Sequence, residues 1–335
     1  MSIIFLLFGI LSIGLKFTGV QSVGVCYGVN GNNLPSRQQV VNLYNSNGIN
    51  KMRIFYPDED ALRALRGSNI ELIIDVARET IPSLANNANE ATNWVNKYVK
   101  PYAQDVKIKY ITVGNEIRPK YNEAQFILPA LKNIQNAISS ANLQGQIKVS
   151  IAIDMTLIGN SYPPNNGVFT DDAKSYIQPI IDFLGTNGAP FLANVYPYFA
   201  YTDNSGSIPL NYALFKQQGN NAVGYQNLFD AQLDSIYAAL EKAGHSNMKI
   251  IVSESGWPSA GSDRANAATI DNSATYYANL INHIKSGKGT PKRPGAIEVY
   301  LFAMFDENQK GGGSTEQHFG LFNPDKSAKF PLNFN

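Results

Sequence analysis

The chain has 335 residues, with 27 Lys+Arg against 26 Asp+Glu, a formal net charge of +1, 16% charged and 44% hydrophobic residues. Near-neutrality leaves no electrostatic footprint for a phosphate backbone, which argues against nucleic-acid binding, and the apolar fraction excludes a disordered chain. One cysteine, Cys26, rules out an intrachain disulfide and a cysteine-based zinc cage, and His245, His283 and His318 have no metal-ligand spacing.

Residues 3–15 are almost wholly apolar, and the stretch is too short for a bilayer core, which needs about 20 residues. It reads as a secretory leader, residues 1–22, removed after Ser22 or alternatively after Val20. The remaining 23–335 contains no Asn-x-Ser/Thr sequon and no second apolar stretch of membrane length. A soluble, secreted, unglycosylated chain follows as the expectation.

Short apolar runs rich in β-branched and aromatic residues then recur at 23–27, 51–56, 70–76, 109–114, 147–153, 191–196, 248–253 and 296–303. They lack strict two-residue alternation, as strands covered on both faces should. Amphipathic helical patterns lie between them, clearest at 35–47, 123–141, 225–243 and 272–285, three of which close at Gly48, Gly244 and Gly287. Strand–helix alternation predicts a parallel α/β sheet, and eight repeats predict a single-domain (β/α)8 TIM barrel. A doubly wound open sheet is the alternative, but no G-x-G-x-x-G or P-loop follows an early strand. Cys26 falls within the first strand as a small hydrophobe.

Barrel chemistry sits at the C-terminal ends of strands. The fourth strand ends in Val113-Gly114-Asn115-Glu116 and the seventh runs into Ser253-Glu254-Ser255-Gly256-Trp257-Pro258, so each delivers a carboxylate at its end. Strands four and seven face one another across a closed barrel. Two opposed carboxylates in an aromatic cleft suit glycosidic bond cleavage, one protonating the leaving oxygen and the other meeting the oxocarbenium-like carbon. Tyr196, Tyr198, Phe199, Tyr201, Trp257 and Phe305 cluster just past strand ends, as a sugar-stacking platform or as core.

The run Ile250-Ile251-Val252-Ser253-Glu254-Ser255-Gly256-Trp257-Pro258-Ser259-Ala260-Gly261 resembles the signature of glycoside hydrolase family 17, the plant-type β-1,3-glucanases. So do Val113-Gly114-Asn115-Glu116, Asn194-Val195-Tyr196-Pro197-Tyr198, Phe305-Asp306-Glu307-Asn308-Gln309-Lys310, the opening Val23-Gly24-Val25-Cys26-Tyr27-Gly28 and the close His318-Phe319-Gly320-Leu321-Phe322. The likeness covers the whole of 23–335 in order. It implies a retaining endo-hydrolase of neutral β-glucan, a secreted monomer needing no metal or organic cofactor. Glu254 would be the nucleophile and Glu116 the acid/base, with Asn115 on the sugar 2-hydroxyl. Glu307, Glu298 and Lys310 match charged positions near the family's site, and Phe55, in preference to Tyr56, an aromatic one. Asn194, Tyr196, Tyr198, Phe199, Trp257 and Phe305 would contact substrate. A 1,3;1,4-glucan endohydrolase and a non-catalytic glucan-binding barrel stand as rivals, and nothing in the motifs separates defence from developmental roles.

Overall fold

The computed structural model describes residues 23–334; the leader assigned to 1–22 lies outside the described residues. Eight parallel strands close into a barrel in sequence order: β1 Gly24–Tyr27, β2 Lys51–Ile54, β3 Glu71–Asp75, β4 Lys107–Asn115, β5 Lys148–Ile153, β6 Phe191–Asn194, β7 Ile250–Ser255 and β8 Glu298–Leu301, with β8 pairing back onto β1. Helices fill the crossovers: α1 Arg37–Ser46, α2 Glu59–Ala64, α3 Ile81–Asn86, α4 Ala88–Tyr98, α5 Ala124–Ser140, α6 Asp171–Thr186, α7 Pro197–Asp203, α8 Leu210–Ala213, α9 Leu228–Lys242 and α10 Ile270–Lys285. The predicted (β/α)8 barrel is the observed fold.

Local chemistry sets the element ends. Pro35 lies outside α1 because Ser36 takes the N-cap, its hydroxyl accepting the Gln39 N–H while the Gln39 side chain reaches back to the Ser36 N–H. Gly48 then stops that helix with φ +70°. Asn227 caps α9, so Tyr225, placed by periodicity inside the helix, precedes it and bonds Asp234 from a buried position. The strand predicted at 248–253 runs instead from Ile250 to Ser255, which puts Glu254 inside β7.

Irregularities in two strands re-aim the chain at the upper mouth: β4 carries an extra residue between Thr112 and Asn115 where it pairs with β5, and β7 carries one just after Val252, where it pairs with Ala193 and Asn194 of β6 and with β8. Bulges re-aim side chains beside active sites, and Asn115 and Glu254, which follow these two, line the cleft. Gly114 at φ +93° is the hinge of the β4 irregularity, where a Cβ would sit 2.7 Å from Ile127.

Glu298 is the first residue of β8 and so lies at the opposite, N-terminal mouth of the barrel. There it is ringed by Lys51 at 3.4 Å, Lys109 at 3.6 Å and Lys249 at 2.9 Å, the cations at the starts of β2, β4 and β7. The site role expected for it is therefore corrected: it ties the barrel floor, where side chains serve stability. Burial would raise its pKa, but the three lysines outweigh this and hold it at about 2. With the folded-state pKa below the unfolded one, the stabilisation is complete above the unfolded pKa of about 4.3 and is lost as pH falls towards 2. Glu298→Gln is expected to lower stability near pH 7 by about 3 kcal/mol, a penalty that shrinks towards pH 2, with kcat on glucan unchanged. Chemical denaturation across that pH range, beside a rate assay, checks both.

Candidate active site

The upper mouth opens into a cleft of about 810 Å³. Its walls include Asn115 and Glu116 from the end of β4, Asn194 and Tyr196 from β6 and its loop, Glu254 from β7, Phe55 after β2, and Glu307 and Lys310 after β8. Phe199 on α7 also lines it, 39% exposed. The two glutamates singled out by their strand ends thus share one cavity.

The floor is organised by a residue that the motifs did not single out. Arg53 on β2 is fully buried. Its Nη2 donates to Asp75 Oδ2 at 2.7 Å and to Asn115 Oδ1 at 3.0 Å. Nη1 donates to Glu254 Oε1 at 2.9 Å, to the Ser253 carbonyl at 3.2 Å and to Asn194 Oδ1 at 3.3 Å. Burial works against the guanidinium, but Asp75 and Glu254 overcome it and hold the cation firmly protonated. Burial raises Asp75, and Arg53 pulls it back. The signal for Arg53 and Asp75 was available: each is a charge inside an apolar strand, affordable only if paired.

Glu254 is 6% exposed and has both oxygens engaged, the second accepting from Tyr196 Oη at 2.7 Å. Burial first and the Glu254 charge second push the Tyr196 hydroxyl well up, so it stays a donor. Glu116 is placed differently. It follows β4 at φ +55°, a left-handed conformation uncommon outside glycine, and its backbone N–H donates to the Ala152 carbonyl at 2.9 Å. Its Oε1 accepts from Asn194 Nδ2 at 2.8 Å. The same amide donates to Asn115 at 3.0 Å, while Asn194 Oδ1 accepts from Ser253 Oγ at 2.7 Å. Asn194 therefore bridges the two carboxyls, touching one directly and the other through Arg53. Burial and, after it, the Glu254 charge raise the Glu116 carboxyl to about 7.

Glu307 is 2% exposed, and its Oε1 accepts the Asn30 N–H at 2.7 Å; burial raises it. A Cβ on Gly28 would lie 2.4 Å from its carboxylate, which is why the opening motif ends in glycine. Lys310 lies 4.0 Å from the Phe302 ring centroid and 3.1 Å from Glu316. Phe302 and Phe319, which the sequence reading did not select, complete an aromatic wall with Tyr196 and Phe199. Phe55 joins it edge-on to Phe302 at 6.0 Å and with the Arg53 guanidinium 4.7 Å from its ring centre.

Three of the expected substrate contacts are corrected to core. Trp257 is fully buried, donates Nε1 to the Ala267 carbonyl and packs on Tyr198 and Tyr276. Tyr198 is buried on the inner face of α7, its hydroxyl on Asp263 at 3.0 Å, whereas its neighbour Phe199 faces the cleft. Phe305 is buried edge-on against Tyr27.

A closed (β/α)8 barrel with a protonatable glutamate and a braced, charge-paired glutamate at one aromatic cleft defines the layout of a glycoside hydrolase. The model for glycosyl hydrolases family 17 matches residues 23–334, and the chain belongs to that family. It is 56% identical to a glucan endo-1,3-beta-glucosidase of Vitis vinifera, over 99% of this chain and 97% of that protein. It is 50% identical to a basic vacuolar isoform of the same enzyme in Nicotiana tabacum, over 96% of this chain and 87% of that protein. Among solved structures it is similar to a beta-1,3-glucanase and allergen of Cryptomeria japonica pollen, with TM-score 0.90 and 49% identity over 94% of this chain and 99% of that one. A structure described with two plant beta-glucan endohydrolases of distinct substrate specificities matches at TM-score 0.87 and 41% identity, over 93% of this chain and 100% of that one.

Arg53→Met leaves the Asp75 and Glu254 carboxylates buried without their counter-ion and should destabilise by about 3–5 kcal/mol. Asp75→Asn added to it is expected to restore part of that loss in thermal denaturation, because one uncompensated charge is then gone.

Proposed function

We propose that the protein is a retaining endo-hydrolase of internal β-1,3-glucosidic bonds in neutral glucans, with Glu254 as nucleophile and Glu116 as acid/base. The observation that carries this is the asymmetry of the two glutamates within one cleft. Glu254 is paired with a cation and accepts from Arg53 and Tyr196, whereas burial and the Glu254 charge keep Glu116 protonated up to about pH 7. The relatives named as glucan endo-1,3-beta-glucosidases support the substrate class.

In the first step a Glu254 oxygen attacks the anomeric carbon as Glu116 gives its proton to the departing glycosidic oxygen. The glycosyl–Glu254 ester consumes the carboxylate charge that had held Glu116 protonated. Glu116, now ionised, takes a proton from water as that water displaces Glu254, and both residues return to their starting states. Phe55, Phe199, Tyr196, Phe302 and Phe319 offer apolar faces to glucose rings, and Asn115, whose Oδ1 is taken by Arg53 and Asn194, offers its amide N–H groups to a hydroxyl. The apolar stretch at 3–15 supports secretion, with the chain acting in the extracellular space as a monomer.

Incubation with laminarin should release new reducing ends with retained anomeric configuration, and a faster rate on mixed-linkage lichenan would transfer the assignment to 1,3;1,4-glucan. Glu254→Gln is expected to abolish turnover, and Glu116→Gln to cost about 10²–10⁴ in kcat/KM on laminarin and far less on a nitrophenyl glycoside, whose leaving group needs no proton. Because Glu116 must start protonated, kcat/KM on laminarin should fall tenfold per pH unit above about pH 7. A profile flat to pH 9 contradicts the acid role of Glu116.

A further inference from the structure

Next to Glu116, on the β4–β5 side of the cleft, stands an ion pair that the proposed reaction does not use. Asn115 is in register with Ala152, so the ends of β4 and β5 lie side by side and Asp154 projects into the same cavity as Glu116. Asp154 is 8% exposed. Its Oδ2 accepts from Arg118 Nε at 2.9 Å and Nη2 at 2.6 Å. Its Oδ1 accepts the Thr156 N–H at 2.9 Å and the Thr156 hydroxyl. Arg118, two residues beyond Glu116, is partly exposed and also lines the cleft. Four donors fix Asp154, and its two bonds to Arg118 hold that guanidinium on the wall of the cleft that Glu116 also lines.

We propose that Asp154 and Arg118 form a positioning unit whose balanced charges set the pH at which the acid/base Glu116 gives up its proton. The proposal rests on Glu116 being the acid/base. The charged and titratable groups facing Glu116 are Glu254 from β7, Asp154 after β5, Arg53 from β2, Tyr196 after β6 and Arg118 on its own loop. Glu254 is consumed during each turnover and Arg53 is committed to Asp75 and Glu254. The Asp154–Arg118 pair keeps its charges throughout the cycle and can be changed from either side without touching the floor of the site.

The two sides act with opposite sign. Asp154→Asn removes a nearby negative charge and frees the positive one on Arg118, so Glu116 ionises at lower pH; Asn still caps the Thr156 N–H, which preserves the turn. Arg118→Met leaves Asp154 uncompensated, so Glu116 ionises at higher pH. A purely structural pair would lower activity at every pH without moving the profile, or move both variants the same way.

The test is kcat/KM on laminarin from pH 4 to 9 for the parent, Asp154→Asn, Arg118→Met and the double variant, with the two single variants also assayed on a nitrophenyl laminarioligosaccharide. The alkaline limb should shift down for Asp154→Asn and up for Arg118→Met, each by about 0.5 pH unit or more, with the double variant between them. Unmoved limbs, or shifts of one sign, overturn the proposal. The residual laminarin activity of Glu116→Gln over the same pH range separates the two levels. If the parent's alkaline limb survives in Glu116→Gln, the limb does not belong to Glu116, and the acid/base assignment fails together with the proposal built on it. If the limb disappears there but stands still in the two pair variants, only the pair's role is refuted.

Discussion

A guanidinium at the floor of a closed barrel has to find fixed acceptors for its donors and fixed charge for its own, and Arg53 finds them on four strands other than its own. Asp75 on β3, Asn115 on β4, Asn194 on β6 and Ser253 with Glu254 on β7 converge on it. Two carboxylates to one cation leaves a negative excess in a low-dielectric floor. Burial first, and after it the Glu254 charge, is why the carboxyl above that floor, Glu116, holds its proton, while Arg53 itself pulls the other way. One buried cation therefore fixes the position of one glutamate, whose charge in turn helps keep the other neutral.

The backbone supports this division. Bulges near the ends of β4 and β7 precede Asn115 and Glu254, and the left-handed backbone at Glu116 carries its side chain over the same cavity. Strain of that kind persists only where the surroundings over-determine the geometry. Here Asn194 supplies the constraint, donating to Asn115 and Glu116 while accepting from Arg53 and Ser253. The opposite mouth uses the same currency for another end: Glu298 among three lysines holds strand starts together and takes no part in the cleft.

All eight strands were legible, because apolar runs separated by amphipathic segments report burial on two faces directly. Their ends were less so. A glutamate after Ser253 reads as the end of the strand, but β7 continues to Ser255 since Glu254 is paired on arrival. The two glutamates and Asn194 came from short polar motifs at strand ends, a signal that survives in one dimension. Trp257, Tyr198 and Phe305 were misplaced into the cleft because an aromatic near a strand end serves core and sugar platform alike; only the direction of the side chain separates Tyr198 from Phe199. A lone arginine among Met52, Ile54 and Phe55 implies a buried partner for Arg53 but does not say which. Finding that partner required Asp75 and Glu254 to be brought together from 22 and 201 residues away.

The central claim is that Glu254 forms the covalent bond to the sugar. Its most direct measurement is mass spectrometry of the protein after incubation with a 2-deoxy-2-fluoro-laminaribiosyl fluoride, whose fluorine slows the release of a trapped intermediate. The account predicts a stoichiometric mass increase of one fluorinated disaccharide, localised by peptide fragmentation to Glu254 and absent in Glu254→Gln. Labelling at Glu116 or Glu307, or turnover with inverted anomeric configuration and no trapped species, would contradict it.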